Sequence, residues 1–252
     1  MSLVVSLLRS LRAALVFMTI LPVPYPENLS DTEKRWSQYF YPLAGLLIGL
    51  VLWKLSGWLP GGTMLSSAIL LAIWVGFSGA LHLDGLADCA DAWVGGIGDR
   101  EKTLQILKDP AAGSMAVVTL IIVLMLKFIA IDTLIIAGHS WFLLVVPVIA
   151  RCAPMFLFSM TVYLRQDGIG RDLVTNDRGR MIPWMVLLGV LGLFSLWLGM
   201  LVLWALLPAV LGFIFVRSMS IQRLGGFTGD VAGATIELSE LMACLVLAVL
   251  LS

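Results

Sequence analysis

The chain has 252 residues, of which 60 % are hydrophobic and 13 % charged, against roughly 45–50 % and about 25 % in soluble domains. So much apolar sequence, with so little charge to cover it, excludes an ordinary water-soluble globule and makes the lipid bilayer the natural solvent. Formal net charge is zero, which gives no support for nucleic-acid binding, where a basic face is needed.

Three cysteines, Cys89, Cys152 and Cys244, lie far apart without paired spacing, which suggests neither a disulfide framework nor a thiolate metal site. With only two histidines, His82 and His139, a histidine-based zinc centre is disfavoured. A metal here would be held by carboxylates, and hard oxygen ligands suit magnesium or manganese.

In chain order, residues 3–21 carry Arg9 and Arg12 ahead of a short apolar run and imitate a secretory signal. No small-residue cleavage pattern follows, and Pro22 and Pro24 end the run, so the segment is read as retained. It either spans the membrane or lies in the headgroup layer, where its two arginines are satisfied. Spanning helices, which need about 20 apolar residues, are predicted at 38–59, 63–83, 114–137, 141–163, 181–199, 200–216 and 234–251. The fold expected is an all-α, polytopic transmembrane helical bundle of about seven spans plus the N-terminal helix, as one domain over 1–252.

Tight, uncharged connections, such as Leu59-Pro60-Gly61-Gly62 and Gly138-His139-Ser140, alternate with four polar segments at 22–37, 84–113, 164–180 and 217–233. The polar segments hold eleven of the sixteen Lys and Arg residues. Two spans separate each from the next, so all four fall on one side, and positive loops stay in the cytoplasm.

The first informative polar segment reads LHLDGLADCADAWVGGIGDREKTLQILKDPAAGSM from Leu81. Asp84, Asp88 and Asp91 fall at i, i+4 and i+7, one face of a helix. At a separation of ~6 Å and an effective dielectric near 20, each like-charged pair costs on the order of 3 kcal/mol. A divalent cation turns that repulsion into a ligand set; the plain alternative is a solvated acidic helix end. His82 reads either as an interfacial hydrogen-bonding residue or as a ligand or base. Beyond the acids stand Arg100, Lys102, Lys108 and Asp109, where cations beside a metal suit a diphosphate; for Lys102 ordinary positive-inside charge suffices.

The second informative segment runs GGFTGDVAGATIELSE from Gly225 to Glu240. On a helix Asp230 and Glu237 share a face, with Gly233 and Ala234 between them to let another helix or a ligand come close. Glu237 and Glu240 lie inside the last apolar run, where ionised acids cost ~2.5–3.5 kcal/mol each. Lys54 lies near a span end and snorkels. Lys127 and Asp132 do not share a face. Arg151, mid-span, needs a buried partner, whether one of the acids, a substrate phosphate or a structural ion pair.

Together these segments resemble the adenosylcobinamide-GDP ribazoletransferase family, the cobalamin synthases. The likeness rests on His82-x-Asp84-Gly85-Leu86-Ala87-Asp88-x-x-Asp91, on Arg100 with Lys108-Asp109 and Gly113, and on Asp167-Gly168-Ile169-Gly170. It extends to Gly225-Gly226-x-Thr228-Gly229-Asp230-x-x-Gly233-Ala234 with Glu237 and Glu240, to Lys127 and Arg151, and to the opening Leu21-Pro22-Val23-Pro24 and Tyr41-Pro42-Leu43-x-Gly45. Asp167 and Ile169 are looser than the usual form.

The resemblance implies the last assembly step of cobalamin: a ribazole hydroxyl attacks the phosphoryl joined to the cobinamide, and GMP leaves. It implies Mg²⁺ as cofactor, the bacterial cytoplasmic (inner) membrane with the active face cytoplasmic, and a nucleotide-activated corrinoid and α-ribazole or its 5′-phosphate as substrates. Under it Asp84, Asp88 and Asp91 are the metal candidates, one of them or His82 the base. Arg100, Lys108, Asp109, Arg151, Gly229, Asp230 and Glu237 are the substrate-side candidates, and a homo-oligomer is left open. Two other readings stand beside it: a membrane transferase acting on another nucleotide- or prenyl-diphosphate, and a transporter, against which no repeat between the two halves is found.

Overall fold

Within lipid a backbone satisfies its own polar groups only in helices or closed barrels, and this chain takes the first course. The computed structural model describes residues 2–59, 63–165, 168–174 and 179–252. The predicted connection through Pro60, Gly61 and Gly62, and the motif residue Asp167, lie outside these. Among the described residues the sole strand-like feature is an isolated bridge between Tyr163 and Phe227.

In order the helices are α1 (Leu3–Met18), α2 (Asp31–Ser37), α3 (Tyr41–Ser56), α4 (Thr63–Phe77), α5 (Leu81–Gly95), α6 (Arg100–Ile106), α7 (Ser114–Ile136), α8 (Phe142–Ala150), α9 (Ala153–Met160), α10 (Ile182–Leu198), α11 (Val202–Leu224) and α12 (Gly229–Leu251). Among the described residues five helical runs are long and apolar enough to cross a bilayer, or six where the α4–α5 pair, bent by 86°, counts as one span. One of the five, Ile182–Leu224, is 43 residues long, about twice what one crossing takes, so it has room for both spans predicted at 181–199 and 200–216. Gly199 (φ 59°) joins its two halves. The predicted 141–163 span is α8 followed by α9.

Helix α1 is 16 residues long, about 24 Å at the helical rise and short of the ~30 Å hydrocarbon layer. Its arginines are satisfied in the following loop. Arg9 pairs with Glu33 at 3.0 Å and donates to the carbonyls of Glu27 and Asn28, and Arg12 donates to that of Pro24. That loop turns helical at α2 because Ser30 and Glu33 form a reciprocal capping box.

Every residue of α8 is buried, so this purely apolar helix forms the centre of the bundle, with α3, α10, α11 and α12 around it. The outer faces of α7, α10 and α11 expose Ile121, Ile129, Leu188, Leu196 and Leu207, a surface that suits lipid and not water.

Candidate active site

The span predicted at 63–83 is not straight: it breaks between α4 and α5, and the break positions the acidic residues. Gly79 and Ala80 adopt left-handed backbone (φ 60° and 57°), in Ala80 at a cost of about 1–2 kcal/mol from its Cβ. The Phe77 carbonyl at the break accepts the Ile20 N–H at 2.8 Å, which ties the turn to the segment after α1. The acidic sequence therefore does not cap a span; it starts a new helix, α5. On it His82, Leu83, Gly85, Leu86, Cys89 and Ala92 are buried, Asp84 is exposed, and Asp88 and Asp91 are half-buried.

The buried face of α5 meets the first turns of α12 backbone to backbone. A Cβ on Gly85 would stand 2.6 Å from the Asp230 carbonyl oxygen, and one on Gly233 would stand 3.1 Å from His82 Cα. Only a residue without a side chain fits this crossing at Gly85, and the result is that Asp230 arrives beside the Asp84–Asp88 stripe. Asp230 Oδ2 accepts the Thr228 hydroxyl at 3.1 Å and Arg165 Nη2 at 2.8 Å. The same Nη2 donates to the Leu107 carbonyl at 2.8 Å.

Arg165 is held in place by a short strap, in which Phe227 donates to Val162 and Leu164 to Phe227, both at 2.9 Å. Tyr163 lies in that strap against Phe227, ring centroids 5.2 Å apart. Burial raises its phenol above the ordinary value, with Arg165 opposing in part, so it is a protonated hydroxyl at neutral pH.

Two cavities open here. One, of about 360 Å³, is lined on its polar side by His82, Asp84, Arg165 and Asp230 and elsewhere by residues such as Phe17, Tyr41 and Phe158, with Gly229 and Gly233 at the helix end. The other, of about 420 Å³, is lined by Arg100, Lys108, Arg165 and Thr228. Arg165 and Gly168 belong to both. Arg100 is anchored through Nε to the Leu224 carbonyl at 2.7 Å.

The remaining predicted site residues are placed elsewhere. Asp91 accepts the N–H groups of Gly113 at 2.5 Å and Ala116 at 2.9 Å, so it caps the start of α7. A Cβ on Gly113 would fall 2.7 Å from that carboxylate, which accounts for the glycine. Asp109 accepts the Ala111 N–H at 3.0 Å in a local turn and lines neither cavity. Arg151 and Glu237 join a buried ionic network: Lys127 pairs with Glu237 at 3.0 Å and with Glu240, Glu240 also takes Arg151, and Trp74 Nε1 donates to Glu240 at 3.0 Å. Two cations and two carboxylates balance there, with Lys127 lying 4.3 Å over the Trp74 ring. Neither Arg151 nor Glu237 reaches a cavity wall.

A family model described as cobalamin-5-phosphate synthase matches residues 10–248. The chain belongs to this family. Curated relatives named adenosylcobinamide-GDP ribazoletransferase include those of Pseudomonas entomophila (48 % identical, 94 % of this chain, 97 % of the relative), Pseudomonas putida strain GB-1 (49 %, 93 % and 96 %) and Pseudomonas aeruginosa (46 %, 96 % and 98 %). No solved structure matches.

Mg²⁺ is the group that the sequence resemblance implies, and it takes oxygen ligands. Among the described residues, no three His, Cys, Asp or Glu side chains converge into a ligand set. Asp84 and Asp88, one turn apart, make no hydrogen bond or ion pair among the described residues, whereas Asp91 and Asp230 are engaged. Magnesium commonly takes one or two carboxylates and completes its shell with water and substrate phosphate, so the Asp84–Asp88 pair fits it. The sequence pattern missed Arg165. It counted only as positive-inside charge, and its sole signal was its place just before the Asp167-Gly168-Ile169-Gly170 motif.

Proposed function

We propose that this chain joins adenosylcobinamide-GDP to ribazole with release of GMP, by phosphoryl transfer to an alcohol, at the cytoplasmic face of the bacterial inner membrane. The substrates are those in the names of its relatives. The observation that supports the chemistry best is the α5–α12 crossing, which sets uncommitted carboxylates on one side of Arg165 and the cations Arg100 and Lys108 on the other.

Displacement on a diphosphate needs charge neutralisation around the leaving phosphate and a base for the attacking hydroxyl. Arg100, Lys108 and Arg165 supply fixed positive charge for the diphosphate. Asp230, through its ion pair, holds the Arg165 guanidinium in the wall between the cavities. Mg²⁺ held by Asp84 and Asp88 would neutralise further phosphate charge. His82 is buried, lines the first cavity and has no hydrogen-bond partner on either ring nitrogen among the described residues. These observations support His82 as the group that takes the hydroxyl proton. The four polar segments, with the positive charge they hold, support a cytoplasmic face for this chemistry.

The test is direct. Protein reconstituted in lipid nanodiscs with Mg²⁺, adenosylcobinamide-GDP and α-ribazole is expected to release GMP in step with cobalamin formation. Folded, lipid-embedded protein that releases none would refute the reading.

A further inference from the structure

We propose that the protein holds an anionic phospholipid, with one acyl chain in an apolar groove between α10 and α11 and the lipid phosphate at Arg217. The site lies apart from the two polar cavities and does not depend on the reaction they serve.

The groove encloses about 330 Å³. Its floor is Ile149, Ala153 and Phe156 of the central α8 and α9, all buried, and its rims are Trp184 on α10 and Val210 and Ile214 on α11, all exposed. The Phe156 ring meets Trp184 and Phe213 edge to face, with centroids 4.9 and 6.3 Å apart. The polar side chains in the wall are already engaged. The Ser239 hydroxyl donates to the Ala209 carbonyl at 3.1 Å, and the Cys152 thiol donates to that of Val148 at 3.5 Å. The wall is therefore built for an apolar occupant.

In a bilayer the surroundings are as apolar as the groove, so the hydrophobic effect selects nothing. Packing does, because walls without atoms opposite them forfeit dispersion contacts, and acyl chains are the material at hand. On α11 the groove runs from Leu206 to Ile214, about 12 Å at the helical rise. That is close to the ~15 Å that one leaflet contributes to the hydrocarbon layer.

The mouth of the groove defines the headgroup. Arg217 follows Phe213 and Ile214 by one turn, on the same face of α11. Its Nε donates to Thr161 Oγ1 at 2.9 Å and its Nη2 to the Met160 carbonyl at 3.2 Å, and Met160 itself lines the groove. These bonds fix the guanidinium at the rim without neutralising it. Among the described residues no carboxylate pairs with Arg217. Depth agrees with charge. Arg217 lies two turns before Leu224, whose carbonyl anchors Arg100, so it stands at the polar end of the bundle. Trp184, in the first turn of α10, takes the interfacial place that tryptophan favours. A basic pocket between spanning helices at that level is where an anionic headgroup binds.

Native mass spectrometry of the full chain, in mild detergent with equimolar dioleoyl phosphatidylglycerol and dioleoyl phosphatidylcholine, tests the site. Wild-type protein is expected to retain phosphatidylglycerol with a preference of about fivefold, the equivalent of ~1 kcal/mol for one cation. Arg217→Gln is expected to lose the preference and still take either lipid. Val210→Trp, which fills the groove from its exposed rim, is expected to retain neither. Phosphatidylglycerol should raise the thermal transition of the wild type and leave that of Val210→Trp in place, and inorganic phosphate should raise neither. An absent preference in the wild type, an unchanged one in Arg217→Gln, or full retention by Val210→Trp would each overturn the proposal. So would equal protection by inorganic phosphate, or a dimer that Val210→Trp separates, since a second copy of the chain would then cover the groove.

Discussion

A carboxylate that accepts two backbone N–H groups has little left to offer a cation, and this separates Asp91 from its neighbours on α5. Asp84 and Asp88 have no such employment. Asp84→Asn and Asp88→Asn are therefore expected to cut the rate of GMP release on the order of 10²–10³-fold, the usual loss of a charge-stabilising group, with the thermal transition in place. Asp91→Ala instead removes the cap of α7 and is expected to lower stability by about 1 kcal/mol, with activity falling only as the folded fraction falls. Thermal melts alongside GMP release tell the two apart, and a wild-type rate in Asp84→Asn and Asp88→Asn would sink the metal-site assignment. Spacing along one helix displayed all three aspartates equally. It could not show that the partner of Asp91 lies 22 residues away at Gly113, because that contact exists only after α5 and α7 pack.

At the level of elements, the break between α4 and α5 and the network between α7, α9's approach and α12 share one cause: each depends on a contact distant in sequence. Ser78-Gly79-Ala80 contains no proline and no charge, so it reads as continuing an apolar span; the anchor at Ile20 and the landing of Gly85 on α12 make it a corner. Likewise Lys127 finds its carboxylates 110 and 113 residues later, where no helical periodicity could point. Once folded, these charges depend on each other. Glu240 is fully buried and meets Lys127, Arg151 and Trp74, so Glu240→Gln leaves two buried cations with one carboxylate, Glu237. We expect a loss of about 3–5 kcal/mol, the usual cost of breaking a buried pair from one side. A denaturant or thermal titration in lipid or mild detergent measures it, and a change under about 1 kcal/mol would show that the network is not a keystone of the bundle.

For the molecule as a whole, hydropathy foretold an all-α membrane bundle, and the small residues read in the second polar constellation are those that let α12 lie against α5. Arg165 and the two cavities it lines were hidden because they arise where three polar segments meet, a property of the assembly and not of any stretch. If two carboxylates and the substrate's phosphate complete the metal shell, the ion belongs to the ternary complex more than to the free protein. Chelation by EDTA is then expected to abolish GMP release reversibly, with Mg²⁺ restoring it. The melting temperature of the substrate-free protein should move little, because weak binding adds little by mass action. A large fall in melting temperature on chelation would place a tightly held structural ion in the chain.

The buried network also sets a schedule for biosynthesis. Helices leave the ribosome in order, so Lys127 and Arg151 reach the membrane well before Glu237 and Glu240 are made. Until α12 arrives, Lys127 and Arg151 lack the carboxylates that pair with them in the folded bundle. Insertion of α12 therefore completes the charge balance of the interior, and with Asp230 at its start it brings Arg165 a partner in the same step.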